Sequence, residues 1–225
     1  MIKRISAILV AIIFTLSGCK DMPLNNVEDV IENSERSIVH IFYGDNSCSG
    51  FHIGNGVVIT AAHCFSDLPG YATENITMDS YLEKYLQVEA IEINHDKDLA
   101  ILNISNFVMP ALLLWDPELD GRLRIGSSAI AMGFPGYYDM QFTFETGYVK
   151  DIVTDATGLT IIKGRDLVYP GESGGPLISL KNGKVIGVGH TVYSLMLMGI
   201  NKPAHKHYDI GTFVSVAELN SILSK

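Results

Sequence analysis

Apolar residues in this chain come in short pieces separated by glycine, asparagine and proline, which leaves little room for long helices and points to an all-β fold. Ser37–Tyr43 reads as a strand and Gly44–Ser49 as a turn. Phe51–Ile53 and Val57–Thr60 read as the arms of a hairpin around Gly54-Asn55-Gly56. Further strands are expected at Tyr85–Ile93, Leu99–Ile104, Ser128–Met132, Phe142–Lys150, Leu159–Lys163, Pro176–Leu180, Val185–Val188 and Asp209–Val214. Short strands at this spacing build barrels or a sandwich. Only at the end does the period change: Val216, Leu219, Ile222 and Leu223 follow helical spacing, behind a capping-box pattern Ser215-Val216-Ala217-Glu218.

Composition supports a folded core, being 47% hydrophobic and 18% charged over 225 residues. A formal net charge of -9 argues against a nucleic-acid partner, which needs a basic surface. The N-terminus stands apart. Basic Lys3-Arg4 precedes an apolar run from Ile5 to Leu16, and Leu16-Ser17-Gly18-Cys19 follows and resembles a bacterial lipobox. That resemblance implies a signal peptide over residues 1–18, lipidation of Cys19, and a membrane partner facing the periplasm. An ordinary cleaved secretory signal is the alternative, and the run is short for a transmembrane span. Residues 19–36, polar and acidic, then read as a tether or a short amphipathic piece. Export to an oxidising compartment leaves Cys48 and Cys64 as an even pair, which reads as one disulfide.

One serine is crowded by glycines in Gly171-Glu172-Ser173-Gly174-Gly175-Pro176, a loop able to bring a hydroxyl and backbone N–H groups close to a substrate. A hydroxyl needs a base, and Thr60-Ala61-Ala62-His63-Cys64 offers one. Asp98-Leu99-Ala100-Ile101-Leu102 offers an acid to orient it, with Asp96 as the weaker rival. In these segments, and in the order His63, Asp98, Ser173, the chain resembles the trypsin/chymotrypsin-like serine peptidases.

The resemblance implies two six-stranded antiparallel β-barrels with a short C-terminal helix, the site lying between them. The first barrel would take residues 37–115, and the second, with the helix, 116–225, joined by a polar crossover at Trp115–Gly121. It implies a Cys48–Cys64 bridge, His63, Asp98 and Ser173 as a catalytic triad, and the N–H groups of Gly171 and Ser173 as an oxyanion hole. The expected reaction is hydrolysis of protein or peptide bonds through an acyl-enzyme, with no cofactor. No metal is expected either, because none of the histidines pairs at zinc-ligand spacing.

Two departures from the family pattern stand out. Glu172 replaces the usual aspartate before the serine, and there is no Ile-Val-Gly-Gly start, so activation by a new N-terminus is not expected. The base of the specificity pocket falls at Leu167, which disfavours cleavage after Lys or Arg; Gly189, His190 and Thr191 should form its wall. His190 lies one residue off the register of a histidine found in glutamate-cleaving bacterial relatives. It could equally touch Asp98 or be an exposed loop residue, and His205 and His207 border the same region. HtrA-type proteases share the barrels, but no room is expected after the second one for a PDZ domain. The competing function is a catalytically silent protease-like binding protein on the same fold. Oligomeric state is not legible.

Overall fold

The computed structural model describes residues 26–44, 46–66, 73–82, 84–105, 107–135, 141–165, 172–193 and 210–224. Strands β1 (Ile38–Tyr43), β2 (Asn46–Gly54), β3 (Val57–Thr60), β4 (Ile76–Ser80), β5 (Gln87–Asn94) and β6 (Leu99–Ser105) form one curled antiparallel sheet. Its order is β4-β1-β2-β3-β6-β5, and its edges meet at a bridge from Met78 to Leu86. The second half closes fully into a barrel of β7 (Ser128–Gly133), β8 (Thr143–Thr154), β9 (Thr160–Arg165), β10 (Pro176–Ser179), β11 (Val185–Tyr193) and β12 (Ile210–Ser215). The fold is thus chymotrypsin-like, with one closed barrel and one curled sheet.

The continuous apolar run Leu99-Ala100-Ile101-Leu102 is explained by burial on both faces. Leu102 pairs with Val58, and both line the interior of the first sheet with Val39, Ile41 and Met78. The alternate residues form a row across four strands, Ile38–Phe51–Ile59–Ile101, which belongs to the same core as Met132, Ile162 and Phe213 of the second barrel. One face fills its own sheet. The other fuses the two halves.

Differences from the sequence reading are local. The turn expected at Gly44–Ser49 is shorter, since β2 starts at Asn46 and pairs with β1 through Tyr43. Strand β4 was not expected: only Ile76 and Met78 of its five residues are large and apolar, yet Ile76, Met78 and Ser80 face inward. Of the stretch read as a tether, Val27–Ser34 is a helix, α1, capped by Asn26, whose Oδ1 accepts the N–H of Asp29 at 2.7 Å. Val30 of this helix is 2% exposed and sits in the shared core, so that part belongs to the folded body.

The crossover is less of a free linker than its polarity suggests. Trp115 is buried, its Nε1–H donates to the carbonyl of Gly121, and the short helix α2 (Pro117–Asp120) carries Asp120 to Lys184 and Asn182 of the β10–β11 turn. Helix α3 (Val216–Leu223) starts where expected, with Ser215 Oγ accepting from Ala217 N–H. Glu218, however, accepts from Lys97 of the first sheet and from the N–H of Thr160. Among the described residues no helix is long and apolar enough to cross a membrane. Cys19 and the apolar run before it lie outside them.

Candidate active site

His63 lies on a short 3-10 turn, Ala62–Phe65, at the end of β3. The next residue, Cys64, is disulfide-bonded to Cys48 on β2, so the turn is tied to the sheet on both sides. Asp98 closes the tight turn between β5 and β6 with φ +51°, a left-handed conformation that aspartate adopts more readily than most residues. Its Oδ1 accepts the backbone N–H of His63 and its Oδ2 meets His63 Nδ1, both at 2.8 Å. The acid that reaches His63 is therefore Asp98 and not Asp96.

His190 comes to the same carboxylate. The pairing of β11 with β12 slips between Gly189 and Thr191, and a bulge of this kind re-aims the extra residue's side chain. His190 Nδ1 and Asp98 Oδ2 form a hydrogen bond. Of the three placements open from the sequence, this is the contact with Asp98. Burial alone would push the Asp98 carboxyl up, but hydrogen bonds from His190 and then His63, with the charge of His63, outweigh it and hold it well below the usual carboxylate range.

The serine arrives from the second barrel. Ser173 follows Glu172 in a turn closed by Gly175 N–H on the carbonyl of Glu172, and Ser49 N–H of β2 donates to the Ser173 carbonyl at 2.8 Å. Gly174 has φ +81° and packs so tightly on β2 and β3 that a Cβ there would lie 2.1 Å from Thr60 Oγ1 and 2.3 Å from the Ser49 carbonyl. Thr60 and Ser49 are bonded to each other, Oγ1 to carbonyl, at 2.7 Å. On its other side the turn is laced to β11, Gly174 N–H to Gly189 carbonyl and Gly189 N–H to Gly175 carbonyl, both 2.8 Å. The serine turn thus sits against the strand end that leads into His63 and against the residue preceding His190.

Glu172 is 3% exposed and accepts the hydroxyl of Thr143 at 3.2 Å. Gly171, Leu167, His205 and His207 lie outside the described residues, as does the side chain of Thr191. Sequence reasoning missed Ser49 and Thr60, which seat the serine turn. Thr60 left a signal as the one polar residue of the apolar run Val57–Thr60, whereas Ser49 lies among the polar residues of β2 and left none; only tertiary contact gives either a role. It also missed Lys97, whose Nζ reaches Glu218 at 2.5 Å and Ser221 Oγ at 2.7 Å, pinning the turn that carries Asp98 to α3.

The model of the trypsin-like peptidase domain matches residues 48–188, which include His63, Asp98 and Ser173. No curated protein sequence matches the chain. Among solved structures, the M. tuberculosis protease Rv3671c superposes in its inactive form with TM-score 0.69 at 21% identity, over 89% of this chain and 90% of that one. The active form gives TM-score 0.68 at 23% identity, over 100% and 92%. The HtrA-type protease AlgW, with a tripeptide, gives 0.69 at 18% identity over 87% of this chain, which spans 61% of AlgW.

Proposed function

The chain belongs to the trypsin-like peptidase family and is a serine-type endopeptidase, and on that premise we propose that Ser173, His63 and Asp98 form its catalytic triad. The observation that carries the assignment is the double grip of Asp98 on His63, through backbone N–H and Nδ1. With Nδ1–H donated to the carboxylate, the ring's other nitrogen, Nε2, keeps its lone pair for a proton.

In the proposed reaction Ser173 Oγ attacks the peptide carbonyl as His63 Nε2 takes its proton. Negative charge then gathers on the carbonyl oxygen, where the N–H groups of Gly171 and Ser173 stabilise it. The imidazolium, held by Asp98, passes the proton to the leaving amine, the C–N bond breaks and an acyl-enzyme remains. A water molecule, deprotonated by His63, releases the acid and restores the serine.

Leu167 at the pocket base favours apolar over basic side chains before the cut. His190, occupied with Asp98, gives no support to an acidic preference. Activation by a new N-terminus is not part of this proposal, since Glu172 stands where the family's aspartate would receive that amine; its carboxylate accepts the Thr143 hydroxyl. The protein is anchored by lipid on Cys19 to a bacterial envelope membrane, and Lys20–Asn25 spans at most about 20 Å, keeping the folded body close to the bilayer.

Treatment with a fluorophosphonate followed by mass spectrometry tests the chemistry. Labelling is expected at Ser173 and is expected to vanish in His63→Ala; folded protein that never labels would instead be a silent binding protein.

A further inference from the structure

Asp98 carries two imidazoles on one oxygen, more than the proposed mechanism requires. A neutral imidazole has one N–H, so each ring that donates to Oδ2 through Nδ1 keeps its proton there. The two rings approach edge-on, centroids 6.4 Å apart. One ligand atom from each of His63, Asp98 and His190 lies within 4.8 Å of the others. Side-chain exposures of 42%, 12% and 31% leave the group open to ions from solvent. Two imidazole nitrogens and one carboxylate oxygen are a donor set that zinc accepts, with a fourth position left for water. The other such group among the described residues, Cys48, His63 and Cys64, has both sulfurs committed to the disulfide.

We propose that His63, Asp98 and His190 form a divalent-cation site, of the zinc type, through which the peptidase is switched off reversibly. Tetrahedral ligands at zinc distances stand roughly 3.3 Å apart, so the rings must withdraw from Oδ2 by less than about 1 Å and turn by about 35°, which re-aims each Nδ1 from Oδ2 to a shared centre. To bind through Nδ1, each neutral ring moves its proton through solvent to Nε2. No proton is lost from either ring and the carboxylate stays ionised. His63 Nε2 then carries a hydrogen and cannot accept the proton of Ser173. The block acts on the base. The inhibition rests on the reading of His63 as the base, whereas the binding does not.

Ser173→Ala protein, which retains all three ligands, is titrated with zinc by calorimetry and with cobalt by visible absorption. One equivalent is expected to bind, and His190→Ser and His190→Gln are each expected to weaken binding at least about tenfold. In the active protein zinc should lower kcat at least tenfold with KM within twofold, and EDTA should restore it. Absence of saturable binding, or equal binding in both His190 variants and in Asp98→Asn, overturns the site. Binding with kcat unchanged overturns the switch. His190-dependent binding in protein that fluorophosphonate never labels supports the site and overturns the reading of Ser173.

Discussion

Gly174 shows how a single residue without a side chain can hold the proposed nucleophile in place. Its φ of +81° and its contact with Thr60 and the Ser49 backbone leave no volume for a Cβ. Gly174→Ala must lift the Ser173 turn from the first sheet, since two of the obstructing atoms, the Ser49 carbonyl oxygen and the Ala61 nitrogen, are backbone. We expect a loss of at least about 2 kcal/mol in unfolding free energy and a large fall in fluorophosphonate labelling. Urea unfolding and labelling rate measure the two; an unchanged rate would mean that the turn does not need this seat. Asp98→Asn makes the complementary case at the proposed orienting acid. The amide can present an N–H where the carboxylate accepted one, favouring the wrong tautomer of His63, and kcat should fall about 10⁴-fold. Steady-state kinetics on a peptide substrate reads it.

At the scale of elements, α3 acts on the site through the turn that carries Asp98. Lys97 belongs to the turn that ends in Asp98, and its ion pair with Glu218 is largely shielded, the side chains being 29% and 16% exposed. Lys97→Met should cost about 1 kcal/mol of stability and lower kcat several-fold with KM little changed. Denaturant unfolding with Lys97→Met, Glu218→Gln and the double variant should show less than additive losses. This contact also marks the limit of what sequence could show. The hairpin at Gly54-Asn55-Gly56 was legible because positive φ at Asn55 and Gly56 demands those residues. The start of α3 was legible from its cap. The partner of Glu218 was not, because its link to Lys97 spans 121 positions and nothing local encodes it. Likewise the chemistry-bearing segments announced His63, Asp98 and Ser173, whereas the aim of His190 depends on a bulge in β11 that only strand pairing reveals. Strand β4 was hidden by its mixed composition, its partners lying in β1.

For the whole molecule the decisive surface is where the curled sheet meets the closed barrel, and a buried histidine stands in it. His40 on β1 has the parity of Ile38, which faces the shared core. Its ring stacks on Phe134 beyond β7 at 4.8 Å, and its Nε2 is bonded to Ser47 Oγ at 2.7 Å. Ser49, opposite His40 across the β1–β2 pair, accepts the N–H of the same Phe134. Burial lowers the His40 pKa from 6.5 to about 4, with Asp79 opposing the shift and Lys84 reinforcing it. The unfolded chain therefore binds this proton near pH 6.5 while the folded one resists it down to about pH 4. The stabilisation is fully present above pH 6.5 and is lost as pH falls towards 4, at up to about 1.4 kcal/mol per unit and about 3 kcal/mol in all. Protonation would strike where Phe134 and Ser49 join the two halves, so acid should loosen the seat of the Ser173 turn together with the fold. Urea unfolding at pH 7.5, 6, 5 and 4 should show this slope in the parent and a flatter one in His40→Gln. Identical slopes would mean that the folded protein takes up the proton as readily as the unfolded chain, and His40 would then have no part in acid stability.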